Sequence, residues 1–400
     1  MARFWNLPPL LLLAGGLLAG CGEGRVTPPE QNLFERYVAL GNSITAGVQS
    51  DGLNDSTQAQ TYPVMLAQRA NATFNYARLA RPGCPPPLIG PIGLTTARVG
   101  GGSEASCAFY AQPIPQPVQN LSVPGFRIAD ALTVPGFPAS LVYNPAFGAR
   151  SLVQAMIDAK PTLVSVWLGN NDALSAGTSG DAGRLTTLAE FEGSLNAITA
   201  AIAEQTPARD AVLIGVIDPT LAPIVQPGAF FWAAKQDAAT AGLLPKPVNA
   251  NCAPGSPLAT NLVSLRAIGD GGLSEISCAN DAPYVLNASE RQAITTRVGE
   301  FNALIRARAE ARRWVYIDAN AILSSALANP NQLRKCQGMG GASTGEQAIA
   351  VLRTTCPYPG APNFFGALVS FDAIHPSAEG HRLIADAIAA ALRAKHGISL

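Results

Sequence analysis

The sequence predicts an α/β protein, a three-layer α/β/α sandwich around a mainly parallel central sheet. Residues 163–168 form a short run that is apolar except for Ser165, as expected of a strand buried on both faces. Comparable runs at 36–40, 211–217 and 314–317 alternate with stretches of helical spacing, the arrangement that strands joined by crossover helices require. Two runs end at a glycine, Gly41 and Gly169, each followed at once by polar residues. Those polar residues then lie at the carboxyl ends of strands, where sites in open α/β sheets form.

Taken in order, residues 36–40 are the first strand and 62–70 a helix. Residues 81–117 are rich in Gly and Pro and hold two cysteines, which reads as a long ordered loop. Residues 119–125 end a short extended segment, and 127–132 open a helix. Residues 151–159 are helical, Pro161 restarts the chain, and 163–168 is the buried strand. Residues 188–204 carry apolar side chains at helical spacing, with Thr187 as cap. The strand at 211–217 is followed by a second Pro/Gly-rich insertion, about 219–283. A long helix at 289–313, a strand at 314–317 and a third insertion, about 329–365, come next. Residues 377–395 close the chain as a helix capped by Ser377.

The first 20 residues are not part of this fold. Met1-Ala2-Arg3 makes a positive start, residues 7–19 are apolar apart from Pro and Gly, and Leu18-Ala19-Gly20-Cys21 follows. The stretch is too short and interrupted for a good membrane span. Its ending resembles the bacterial lipobox, which implies lipidation of Cys21 and a protein exported to the bacterial cell envelope, most simply the outer membrane. An ordinary secretion signal or a membrane anchor is the alternative. Several acyl chains on Cys21 would hold the protein at a bilayer, with 21–35 as a tether and 36–400 as one domain carrying three loop-rich insertions.

Charge is balanced, 27 basic against 27 acidic residues with no basic cluster, which argues against nucleic acid as a partner. Six cysteines follow Cys21. An even number in an exported chain suggests disulfides, and six allow fifteen connectivities. Neighbour pairing gives Cys84–Cys107, Cys252–Cys278 and Cys336–Cys356, one pair in each loop-rich stretch. No Cys-x-x-Cys or Cys-x-x-His spacing exists, so neither a zinc site nor another cofactor is expected.

The chemistry lies in three segments. Ser43, in Gly41-Asn42-Ser43-Ile44-Thr45, follows a strand where a tight turn could expose its hydroxyl, although a Ser there taken alone reads better as a helix N-cap. Asn171, in Gly169-Asn170-Asn171-Asp172, carries an amide able to donate to an oxyanion without a charge change; in isolation the segment is also a plain Asn-Asp turn. Asp172 is expected to hold that loop. The chain has three histidines. His375 alone has a carboxylate, Asp372, three residues before it in a loop, and Pro376 keeps it out of the following helix. His381 and His396 read as ordinary exposed residues. Gly125, after Pro124, could present a backbone N–H to the same oxyanion, although taken alone it reads as a turn glycine.

Ser43, Gly125, Asn171 and the Asp372/His375 pair, in that chain order, resemble the SGNH (GDSL-type) hydrolase family. The likeness covers most of 36–395 outside the insertions, and residues 120–125, Asn-Leu-Ser-Val-Pro-Gly, resemble the family's second block. The resemblance implies a flavodoxin-like SGNH fold in which Ser43 attacks an ester, His375 is the base and Asp372 orients it. It also implies an oxyanion hole built from the N–H groups of Ser43 and Gly125 and the side chain of Asn171. One departure is visible: the usual Gly-Asp-Ser-Leu stands here as Gly41-Asn42-Ser43-Ile44, which loses a charge.

The resulting expectation is an exported, lipid-anchored serine esterase or lipase acting on a lipid, acyl or acetylated glycan ester. A carbohydrate O-deacetylase or lysophospholipase is the alternative on the same fold, and a non-catalytic surface lipoprotein the alternative outside it. Phe230, Phe231 and Trp232 could line an acyl pocket, or equally form the second insertion's own small core.

Overall fold

The computed structural model describes residues 33–93, 95–108, 110–136, 148–238, 240–328, 357–358, 361–362, 365 and 368–400. The strands used below are, in chain order, β1 (Tyr37–Gly41), β2 (Asn120–Ser122), β3 (Leu163–Trp167), β4 (Asp210–Ile214), β5 (Val225–Pro227), β6 (Leu262–Ser264), β7 (Val285–Leu286) and β8 (Val315–Ile317). The helices used below are α1 (Ser43–Ala46), α2 (Tyr62–Arg69), α3 (Leu152–Ala159), α4 (Asn170–Ser179), α5 (Leu188–Gln205), α6 (Gly228–Gln236), α7 (Ala288–Ala311), α8 (Ala319–Ala328) and α9 (Ala378–His396).

The central sheet has the order β2-β1-β3-β4-β8, and each of its pairings is parallel. Its register matters for function. Gly41 lies opposite Ser122 on one side and Trp167 on the other, so β1, β2 and β3 end level. The residues after each of them therefore emerge at one edge.

Side chains alternate across each strand, and the alternation divides the core into two layers. Tyr37, Ala39, Leu163, Trp167, Val212 and Ile214 face α2 and α9, which contribute Tyr62, Leu66, Ile384, Ile388 and Leu392. Val38, Leu40, Val164, Val166, Ala211 and Leu213 face α3, α5 and α7, which contribute Met156, Ile198, Ile202, Phe301 and Ile305. Each large apolar side chain buried this way contributes about 1.5–3 kcal/mol. The three-layer α/β/α architecture predicted from the sequence is the one observed.

Helix starts follow local chemistry. Thr187 and Glu190 form a reciprocal capping box ahead of α5, and Ser377 accepts from the Glu379 and Gly380 N–H groups ahead of α9. Three differences from the sequence reading have physical causes. The strand expected at 211–217 ends at Ile214: the Val216 and Ile217 N–H groups donate instead to Asn302 Oδ1 (2.7 Å) and Asn170 Oδ1 (3.0 Å). The helix expected at 127–132 is one 3₁₀ turn, Ala129–Leu132. A helix that the sequence reading did not include, α8, follows β8 almost directly, and its Asn320 amide donates to Val216 O (2.8 Å).

The second insertion is more than loop. It holds α6, β5 and β6, and β6 pairs antiparallel both with β5 and with β7, just beyond the insertion. The Cys84–Cys107 and Cys252–Cys278 disulfides join the expected pairs, across 23 and 26 positions; closures of that length stabilise a fold by about 3 kcal/mol each. Cys21, Cys336, Cys356, the leader and most of the third insertion lie outside the described residues. No described helix is long and apolar enough to cross a membrane.

Candidate active site

The turn after β1 is tight for identifiable reasons. A Cβ on Gly41 would collide with the Thr45 side chain, so only glycine allows the chain to double back there. Asn42 caps α1 by accepting from the Ile44 N–H (3.2 Å), which makes Ser43 the first helical residue. Ser43 is 8% exposed, less open than a freely exposed hydroxyl, because His375 covers it: Ser43 Oγ lies 2.8 Å from His375 Nε2.

His375 Nδ1 is in turn 2.8 Å from Asp372 Oδ2. With Asp372 ionised, Nδ1–H donates to it, and Nε2 is left to accept from the serine hydroxyl. Asp372 is buried, 2% exposed. Its Oδ2 also accepts from the Asp51 N–H (2.8 Å), and its Oδ1 from the N–H groups of Ile374 (2.9 Å) and His375 (2.8 Å). Burial pushes this carboxyl upward, but the adjacent His375 and these donors outweigh it and leave Asp372 below the usual carboxylate range.

The opposite wall comes from the segments after β2 and β3. Gly125 has φ +85° and open space where a Cβ would sit. The first turn of α4 then binds its surroundings with three consecutive side chains. Asn170 is buried and accepts from Ile217 N–H. Asn171 Nδ2 donates to Phe126 O (2.8 Å), which joins it to the Gly125 segment; an amide nitrogen carries two N–H groups, so one remains. Asp172 is fully buried and accepts from Ile128 N–H (2.9 Å). Burial pushes its carboxyl up to about 6, against the Ile128 N–H and the Arg127 charge. Asp172 thus holds the loop, as expected, while Asn171 lies in a helical first turn rather than a free loop.

A nucleophile-type hydroxyl, an imidazole, a buried carboxylate and amide donors at one sheet edge are the parts of acyl transfer. The chain matches the family model of GDSL-like lipases and acylhydrolases over residues 37–388. The chain belongs to this family. No curated protein matches it.

Among solved structures, this GDSL-family hydrolase is similar to Axe2, an acetylxylan esterase from Geobacillus stearothermophilus, at 14% identity and TM-score 0.37, covering 90% of this chain and 94% of that one. It is also similar to an extracellular lipase from Streptomyces rimosus, at 17% identity and TM-score 0.35, covering 88% and 98%.

Several features of the hydrolase site were not foreseen from sequence. The Gln49–Gly52 turn docks on the Asp372 loop: besides the Asp51 bond, Ser50 N–H donates to Ser370 Oγ (2.8 Å). Arg98, buried in the first insertion, holds that turn through Asp51 Oδ2 (2.6 Å) and Asp51 O (2.7 Å), and also donates to Pro86 O (2.8 Å). No local pattern marks Arg98, since the contact depends on how a Gly/Pro-rich loop folds back.

His381 and His396 are not the exposed residues expected. His381 is fully buried, accepts from Tyr62 N–H at Nδ1 (3.3 Å) and stacks near the Tyr62 ring. His396 Nε2 lies 2.6 Å from Asp210 Oδ2. A signal was present: 381, 384, 388, 392 and 396 share one stripe of α9 at three- and four-residue spacing. The three aromatics proposed for an acyl pocket separate. Phe230 lines an apolar cleft, Phe231 is fully buried in the core, and half-buried Trp232 packs against that core without lining the cleft.

Proposed function

We propose that this protein is an exported, lipid-anchored serine esterase or lipase that cleaves carboxylic esters through Ser43, His375 and Asp372. The observation that carries the reading is the hydrogen-bonded series from Ser43 Oγ to His375 to Asp372, both links 2.8 Å. In this mechanism Ser43 Oγ attacks the ester carbonyl while His375 Nε2 takes its proton. Charge develops on the carbonyl oxygen, where the Ser43 N–H, free of an intrahelical partner at a helix start, the Gly125 N–H and the second Asn171 N–H stabilise it. Collapse expels the alcohol, which takes the proton back from His375 and leaves an acyl-Ser43. Water, deprotonated by the same imidazole, then releases the acid and regenerates the enzyme. Asp372 stays ionised throughout and stabilises the imidazolium.

Ser43→Ala tests this reading. The variant should lose turnover of p-nitrophenyl esters and labelling by a fluorophosphonate, with an unchanged melting temperature. Wild-type turnover in a folded Ser43→Ala protein would refute the assignment.

A further inference from the structure

An apolar cleft, partly open to solvent, lies where the first and second insertions meet Phe365 of the third; Ile92, Phe230, Ala234, Leu243, Leu265 and Ile268 are among the residues lining it. Its walls hang from the site loops. Ile92 N–H donates to Phe371 O (2.7 Å) and Ile224 N–H to Ala373 O (3.0 Å), so the two insertions are fastened on either side of Asp372. Leu265 N–H donates to Ile224 O (2.7 Å), which continues the connection into the cleft wall. The second insertion is also rooted at Ile217, bonded to Asn170 beside the Asn171 amide.

Among the described residues, the lining offers no free polar side chain. Thr240, its only polar side chain among the described residues, donates its hydroxyl to Ala234 O (2.7 Å). Such a wall cannot orient sugar hydroxyls or a charged headgroup, which need convergent donors and acceptors, whereas an alkyl chain needs only apolar area.

We propose that this cleft receives the acyl chain of the ester, making the enzyme selective for acyl groups longer than acetyl; the inference rests on the hydrolase reading above. The chemistry is unchanged: the acyl group passes from its alcohol to Ser43 and then to water, and its alkyl tail lies in the cleft.

The test is kcat/KM for p-nitrophenyl acetate, butyrate, hexanoate and octanoate, which share one leaving group. For wild type, values should rise roughly fourfold per buried methylene until the chain outgrows the cleft. Ala234→Phe, which fills the cleft, should lower the hexanoate-to-acetate ratio about tenfold or more. Leu243 is 37% exposed, so Leu243→Asp puts a charge at the cleft without burdening the fold, and the same ratio should fall. A flat or acetate-favouring wild-type profile, or a ratio unchanged in both variants, overturns the cleft assignment while Ser43-dependent acetate hydrolysis leaves the hydrolase reading standing. No turnover of any ester by the folded protein overturns that reading and this inference with it.

Discussion

At the residue scale, two adjacent asparagines on α4 carry different burdens. Asn170 spends its carbonyl on Ile217 N–H inside the fold, and Asn171 points its amide toward the Gly125 segment. A donor aimed at charge that exists only in the transition state lowers the barrier more than it aids binding. Asn171→Ala should therefore reduce kcat by about 10²–10³ with little change in KM. Asn170→Ala should instead leave kcat near wild type and cost about 1–3 kcal/mol in denaturant unfolding, because Ile217 N–H loses its partner. Equal kcat losses would show the wrong asparagine assigned. His381 adds a pH signature. Burial, with nearby His375, pushes its pKa from 6.5 down to about 3. The unfolded chain then takes up a proton near 6.5 that the folded protein refuses until about 3, so stability present above 6.5 is lost progressively between those values. His381→Asn keeps an acceptor for Tyr62 N–H and should flatten the acid side of a Tm-against-pH profile; an unaltered profile would contradict this.

At the element scale, the regular strands were legible and the insertions were not. Residues 163–168 announce a buried strand because every position but Ser165 is apolar, and Thr187 with Glu190 announces the start of α5 through local capping chemistry alone. Elements such as β5-β6-β7 are two or three residues long and lie among Pro and Gly; pairing across the insertion makes them, and no local period records it. The site divides in the same way. Ser43, Asn171, Asp372 and His375 occur in compact segments, whereas Arg98 reaches Asp51 across 47 positions. That contact makes the first insertion a support for Asp372: Arg98 fixes Asp51, whose N–H donates to the Asp372 carboxylate. Arg98→Ala should lower kcat about tenfold with KM nearly constant, as a small misplacement of the acid–base pair would, and Arg98→Lys should recover part of the loss. A rise in KM at unchanged kcat would assign Arg98 to substrate binding instead.

At the scale of the whole molecule, α9 joins the two ends of the sheet. It starts just after His375, and at its other end Lys395 and His396 each lie 2.6 Å from the fully buried Asp210 at the start of β4. The Asp372–His375 loop is thus held by a helix anchored at its far end as well as by its own loop contacts. The proposed anchor at Cys21 lies outside the described residues. Cys21→Ser should move the protein from the membrane to the soluble fraction of its host, while kcat/KM on a water-soluble ester stays unchanged; continued membrane association would contradict lipidation at that residue.

The bond between Ser43 and His375 spans 332 positions, and on the proposed mechanism this sets when the pair can act together. A ribosome delivers the proposed nucleophile 332 positions before its proposed base, so a growing chain holds the one long before the other. Until then Ser43 is an ordinary alcohol with no neighbour to take its proton. Under the proposed mechanism, a fragment that ends before His375 holds the serine without its base and is inert towards esters.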